Sequence, residues 1–206
     1  MSISTRNKLC KLLIIGALAL SVQCSEHHTP TPPTIPASEI QAADIVFRLG
    51  CTLQSEAIAS HGTGGYSHIG IVVDSDSTKN VIHIEPDRQG SERIKIEPLA
   101  VFFHPNNAMA GCAMRYNAIS DSLQRRITEY AKTLLSSSIT FDHDYQLSDP
   151  SRMYCTELVE HIFAQSGISL SEEKRIRLPL AKEPVIMPSA IYENDSLTLI
   201  WSYRAE

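Results

Sequence analysis

The first group in this chain that can do chemistry is a thiol at the start of an amphipathic segment, Ser151-Arg152-Met153-Tyr154-Cys155-Thr156-Glu157-Leu158-Val159-Glu160. A nucleophilic cysteine reacts as the thiolate, which a helix N-terminus and a nearby imidazole stabilise. Two upstream runs offer partners. Tyr66-Ser67-His68-Ile69-Gly70-Ile71-Val72-Val73 carries a histidine, and Val81-Ile82-His83-Ile84-Glu85 carries a carboxylate. With Cys155 as nucleophile, His68 as base and Glu85 as the acceptor that orients it, the set would perform covalent thiol catalysis. Each residue alone has a plainer reading: a free cysteine is commonly a small core residue, and a strand histidine or a lone glutamate is commonly a satisfied or solvated group.

The elements that must position these groups follow from periodicity. On a helix beginning near Tyr154, residues Cys155, Leu158, Val159, Ile162 and Phe163 share one face, while Glu157, Glu160 and His161 point elsewhere. The cysteine then faces a sheet. Asp149-Pro150 is a competing helix start, from which Cys155 would fall in the second turn and lose much of the help of the N-terminus. Asp74-Ser75-Asp76-Ser77-Thr78 is a polar turn between β-branched runs, so 67–73 and 79–85 read as an antiparallel hairpin. If Ile69 and Ile71 share a buried face with Ile84 and Ile82, residue 69 pairs with 84 and 71 with 82. His68 then stands opposite Glu85, with Cβ atoms about 4.5–5.5 Å apart. A one-residue slip would put Ile82 and Ile84 on the face of His68. His83 shares the parity of Glu85 and is the rival base. His161 lies off the apolar face, and Cys155 with His161 lacks the usual zinc spacing, so neither a metal nor a cofactor is expected. The loop His61-Gly62-Thr63-Gly64-Gly65 is not followed by Gly-Lys-Ser/Thr and is not a phosphate-binding loop.

Around this centre the chain reads as strands and helices in alternation. Ser38 to Ala43 is a short helical lead-in to the strand Asp44-Ile45-Val46-Phe47-Arg48, and 51–60 is a short helix. Strands are predicted at 92–97, 111–116 and near 197–203. Asp121 to Ser136 is a surface helix with Leu123, Ile127, Ala131 and Leu134 on its inner stripe. Residues 137–150 read as an aromatic and acidic loop.

With 206 residues, 43% apolar, and a net charge of -5, the chain suits one domain preceded by a targeting segment. The absence of any Lys/Arg run removes the electrostatic case for nucleic acid or an anionic membrane surface. Arg6, Lys8 and Lys11 precede the apolar run Leu12 to Leu20, the pattern of an export signal over residues 1–23. Two processing sites compete: cleavage after Ala19, or lipidation of Cys24 after cleavage at Gln23. Residues 24–37 form a Pro/Thr-rich tether and 38–206 a single domain. Exported, in the periplasm or anchored to a membrane through lipid on Cys24, the protein would belong to the cell envelope. In an oxidising compartment Cys51 and Cys112 either pair or remain apolar thiols.

Three blocks carry a resemblance: Asp44 to Arg48; Ser67 to Val73 with Glu85 after it; and Tyr154 to Val159. In this order they resemble the YiiX/YebB-like group of circularly permuted papain-like cysteine hydrolases, relatives of the NlpC-type cell-wall peptidases, from about Asp44 to Ser166. The order histidine then cysteine is itself the mark of the permuted branch. The resemblance implies an α+β fold, an antiparallel sheet or small barrel packed against helices, with the catalytic cysteine at a helix N-terminus. It also implies Cys155 as nucleophile, His68 as base, Glu85 as orienting group, and Tyr154 and Ser67 as substrate-binding neighbours. Thr156 and Pro86 depart from the residues usual at their places. The expected activity is hydrolysis of an amide through a thioester on Cys155. Peptidoglycan-type peptides are the contextual substrate. Lipid acyl hydrolysis or transfer by the same pair, and ligand binding without turnover, are the alternatives.

Overall fold

The β-branched alternation resolves, in a computed structural model that describes residues 31–75, 78–86, 92–179 and 181–205, into one six-stranded antiparallel sheet. The export signal and Cys24 lie outside the described residues. In chain order the elements are β1 (Ile45–Leu49), α1 (Leu53–Ala59), β2 (His68–Ser75), β3 (Thr78–His83), β4 (Lys95–Pro98), α2 (Leu99–Phe102) and β5 (Ala110–Tyr116). They continue with α3 (Asp121–Leu134), β6 (Thr140–Phe141), β7 (Arg152–Met153), α4 (Cys155–Ala164), α5 (Pro188–Tyr192) and β8 (Leu197–Arg204). The strand order is β4-β3-β2-β1-β5-β8, and β6 pairs with β7 in a separate two-stranded ribbon. The architecture is α+β. It is an open sheet, since no pairing joins β4 to β8 among the described residues.

The two faces of the sheet bury different things. Ile45, Phe47, Ile69, Ile71, Ile82 and Ile84 point to one face and pack with Ile127 of α3 and Leu158, Val159 and Ile162 of α4. Val46, Val72 and Val81 point to the other, under Leu99, Phe102 and Phe103. Each fully buried aliphatic side chain contributes roughly 1.5–3 kcal/mol, so the alternation holds the register on both sides. Ile71 pairs with Ile82 across β2 and β3, the pairing that hydrophobic parity demands.

Two local readings differ from the structure, and one open alternative is decided. Residues 38–43 form turns rather than a helix. Ala43 takes a positive φ of 65°, and the Asp44 carboxylate accepts from the Gln41 N–H at 2.7 Å, both of which stop helical propagation. The segment 137–150 is more than a loop: it enters through Thr140-Phe141, which runs parallel to Arg152-Met153. Cys51 and Cys112 are free thiols, one exposed and one buried, and so are not joined.

Candidate active site

Helix α4 begins at Cys155, with Tyr154 as its N-cap in extended conformation (φ -98°, ψ 174°). The helix therefore does not start at Asp149-Pro150. Its first turn is closed by Glu157, whose carboxylate accepts from the Tyr154 N–H at 3.4 Å. The Tyr154 hydroxyl accepts from Ile186 N–H at 2.9 Å, and Thr156 donates its hydroxyl to the Ile186 carbonyl at 2.6 Å. The segment around Ile186 thus covers a second side of the helix. This changes the expected amphipathic pattern, because Thr156 and Glu157 are buried rather than turned to solvent. Burial pushes the Glu157 carboxyl up to about 8.

Cys155 lines a cavity of about 260 Å³ whose walls also include His68, Ser67, Glu85, Tyr154 and Tyr145. The sheet delivers these groups from its ends. His68 is the first residue of β2, Arg48 stands opposite it near the end of β1, and Glu85 lies two residues beyond the end of β3. All five residues singled out for the site therefore meet at one rim, with the cysteine supplied by the helix on the Ile69 face.

The Cys155 thiol is pushed up to about 11 by burial. Backbone N–H groups of Ile69 and Thr156 favour the thiolate but do not offset the loss of water, and the Glu85 charge opposes it. Burial likewise holds His68 well below its ordinary value of 6.5, with Glu85 countering only in part. Both shifts favour the uncharged forms, thiol and neutral imidazole. Such a pair acts by general-base transfer, the imidazole taking the proton as sulfur attacks.

The surroundings of His68 differ from the simple facing pair. Its Nε2 lies 2.8 Å from Nδ1 of His83 and 3.8 Å from the nearer oxygen of Glu85. Glu85 is occupied elsewhere: Arg48 donates to it at 2.5 Å and Lys95 at 2.9 Å. Burial raises the Glu85 carboxyl, but its neighbours, His68 and Arg48 foremost, more than reverse this and hold it far below the usual range. Arg48 in turn donates to the Phe102 carbonyl at 3.1 Å and lies over the Phe102 ring, 4.5 Å from its centroid. Behind His83 stands Glu97, with Oε1 at 3.1 Å from His83 Nε2. Burial holds His83 below its ordinary value despite Glu97, whereas for Glu97 the upward push of burial is outweighed by His83, Lys95 and Arg48, which leave its carboxyl lowered.

His83 was the rival base in the sequence, and Arg48, Lys95, Glu97 and Tyr145 had no assigned role there. Parity could have raised three of these four, since Arg48 alternates with Phe47, and Lys95 and Glu97 alternate with Ile96. What was missing was the pairing of β4 with β3, which sets Lys95 opposite His83 and Glu97 opposite Val81. Tyr145, at a positive φ of 52° and 5.2 Å from the Tyr154 ring centroid, carried no pattern at all.

Residues 39–201 match the family described as permuted papain-like amidase enzyme, YaeF/YiiX, C92 family. The crystal structure of the metalloprotein yiiX from Escherichia coli O157:H7 is similar in fold, with a TM-score of 0.66 and 21% identity, covering 81% of this chain and 99% of that one. No curated protein sequence matches.

Proposed function

The chain belongs to the permuted papain-like amidase family, a family of cysteine hydrolases, and on that premise we propose that it cleaves an amide bond through a thioester on Cys155. The observation that carries the reading is the placement of Cys155 at the first position of α4, lining one cavity with His68. His68 takes the thiol proton as sulfur adds to the carbonyl carbon. It returns that proton to the departing amine as the carbon–nitrogen bond breaks, and then activates the water that releases the acid. The N–H groups of Ile69 and Thr156, directed at the sulfur, favour the charge it gains when the thioester is resolved. Glu85, in this reading, fixes the electrostatics around His68 together with Arg48, and Tyr154 and Ser67 shape the wall that receives the substrate.

The substrate class we favour is a peptide of the peptidoglycan type, in the cell envelope. Its support is the basic-then-apolar N-terminal run, the Cys24 lipidation candidate and the proline-rich tether. A second reading, acyl hydrolysis or transfer on a lipid, has one observation in its favour. An apolar recess of about 390 Å³ adjoins the Cys155 cavity and shares Gln54, Ile58, Leu178 and Met187 with it.

The similar yiiX structure is described as that of a metalloprotein. His68, His83 and Glu85 place ligand atoms within 4.8 Å of one another. The two ring nitrogens are hydrogen-bonded to each other, however, and both Glu85 oxygens are paired with Arg48 and Lys95. A cation there would sit beside two fixed positive charges. The arrangement does not fit a resident metal.

Product analysis tests the reading. Wild type and Cys155→Ala are incubated with muropeptides and with acyl-ester and acyl-amide lipids, and the expected result is amide cleavage by wild type alone. Identical behaviour of the two proteins on every substrate would overturn it, and turnover of the lipids alone would select the second reading.

A further inference from the structure

We infer that Arg175 and Arg177 form a subsite for an oxyanion carried by the substrate, a carboxylate on a peptide or a phosphate on a lipid amide, at the outer lip of the Cys155 cavity. The inference rests on the reading of that cavity as the place where an amide is cleaved. It adds a charged contact away from the reacting atoms.

The placement follows from one backbone bridge. After α4 the chain turns through Glu172 and Glu173, both at positive φ (49° and 62°), and then runs extended. Ile176 and Val185 exchange both backbone hydrogen bonds, at 2.9 Å and 2.7 Å, in an antiparallel bridge. Continuing that register by one residue sets Arg175 beside Ile186. Ile186 donates its N–H to the Tyr154 hydroxyl and accepts from the Thr156 hydroxyl, the neighbours of Cys155 on either side. Arg175 is therefore one strand spacing, about 4.7–4.9 Å, from the segment that rests on the first turn of α4. Arg177 directly precedes Leu178, a wall residue common to the Cys155 cavity and the apolar recess. Alternate residues of an extended segment project to the same side, so both guanidinium groups rise from one edge, with α-carbons about 6–7 Å apart. The charge also reaches the site: burial raises the Tyr154 hydroxyl, and the Ile186 N–H and the Arg175 charge act against that rise.

The balance of charge points to the ligand. Arg48 faces Glu85 and Glu97, Lys95 faces Glu85, Arg152 faces three aspartates, Lys182 faces Asp144 and Lys174 faces Glu172. Among the described residues no carboxylate lies at ion-pair distance from Arg175 or Arg177, and both are exposed. An unpaired guanidinium presents its donors in a fixed fork that matches a carboxylate or phosphate with two parallel hydrogen bonds. The cavity itself offers no free charge, because its charged lining residues, Arg48 and Glu85, are paired with each other. A substrate with an anionic group thus meets its counter-charge at the lip while its amide lies in the cavity.

The experiment measures binding by calorimetry to the Cys155→Ala protein, so that it does not depend on turnover. The probes are muropeptides, the same muropeptides with their carboxyl groups converted to carboxamides, N-hexanoyl phosphoethanolamine, and N-hexanoyl ethanolamine, which lacks the phosphate. Adding Arg175→Gln and Arg177→Gln together is expected to weaken binding of a charged probe about 10- to 100-fold, the loss of charge-assisted hydrogen bonds. The matching uncharged probe binds both proteins equally. Arg175→Lys with Arg177→Lys keeps the charge without the fork and recovers part of the loss. Lys174→Gln removes a charge that already faces Glu172 and binds as the parent does, and the contrast narrows in about 0.5 M salt, where exposed charges are screened. A loss with muropeptides alone assigns a peptide carboxylate, and a loss with the phosphoethanolamine alone assigns a phosphate. Equal affinity of the parent and the double glutamine variant for both charged probes overturns the inference. So does an equal loss for the uncharged probes, or no binding of either charged probe to the parent. Absence of amide cleavage by wild type with charge-dependent binding retained is a different failure, which defeats the reading of Cys155 and leaves the oxyanion subsite standing.

Discussion

Replacing Glu85 with glutamine keeps the shape of the side chain and removes one charge from the most crowded electrostatic point of the fold. Its two oxygens receive Arg48 at 2.5 Å and Lys95 at 2.9 Å. A glutamine amide must turn its NH₂ toward one of these cations, donor against donor. The Arg48 side chain is only 6% exposed, so the charge left behind cannot be recovered by water. Breaking a buried pair typically costs about 3–5 kcal/mol. The lower end, about 3 kcal/mol, applies here because Glu97 still faces Arg48 at 3.5 Å and Glu85 itself is 26% exposed. For a domain of this size about 3 kcal/mol lowers the thermal midpoint by roughly 6–12 °C. The pH dependence has a definite sign. The folded Glu85 carboxyl is held below its ordinary value of 4.5, so its stabilisation is fully present above that value and is lost as pH falls through the lower folded value. The gap between wild type and Glu85→Gln, followed by circular dichroism melts, is therefore expected to be constant from pH 6 to 8 and to narrow progressively as pH falls below the ordinary value of 4.5. A variant that melts within about 1 °C of wild type at pH 7.5 would refute the account of Glu85 as the counter-ion of Arg48.

Two further perturbations test the same packing. Gly70→Ala puts a β-carbon 2.4 Å from a Val81 methyl and 3.1 Å from the Ile82 carbonyl, so urea titration should show a loss of about 1–3 kcal/mol. Glu157→Gln acts in the opposite direction: burial raises the folded carboxyl to about 8, so wild type loses stability as pH rises from the ordinary value of 4.5 toward 8. The variant should match wild type near pH 5 and exceed it at pH 9 in paired denaturant titrations, and equal stability at both pH values would show that Glu157 ionises freely.

How far the chain could be read in advance depended on the range of the forces involved. The hairpin was legible because Ile69, Ile71, Ile82 and Ile84 must share a face, and a one-residue slip would carry Ile82 and Ile84 to the face of His68. The start of α4 was legible from apolar spacing, although Asp149-Pro150 competed. There Asp149 instead accepts from Ser151 and Arg152, spending its capping capacity on a turn before the helix. What parity could not supply was the rank among polar groups on one face. Arg48, His68, His83, Glu85 and Glu97 all satisfy the same alternation, and only their depth separates them.

That depth follows from where β3 stops. Its ladder with β2 reaches Ile82, and His83 is its last strand residue. His83 thus lies over the sheet, under the Phe102 ring at 5.3 Å, while Glu85, beyond the strand, reaches the rim, where Lys95 and Arg48 meet it. A group within the ladder is dry and directional, suited to one fixed hydrogen bond. A charge at the rim is partly wetted and suited to balancing cations. The same alternation therefore yields two kinds of partner for His68, and the end of a strand decides which residue takes which part.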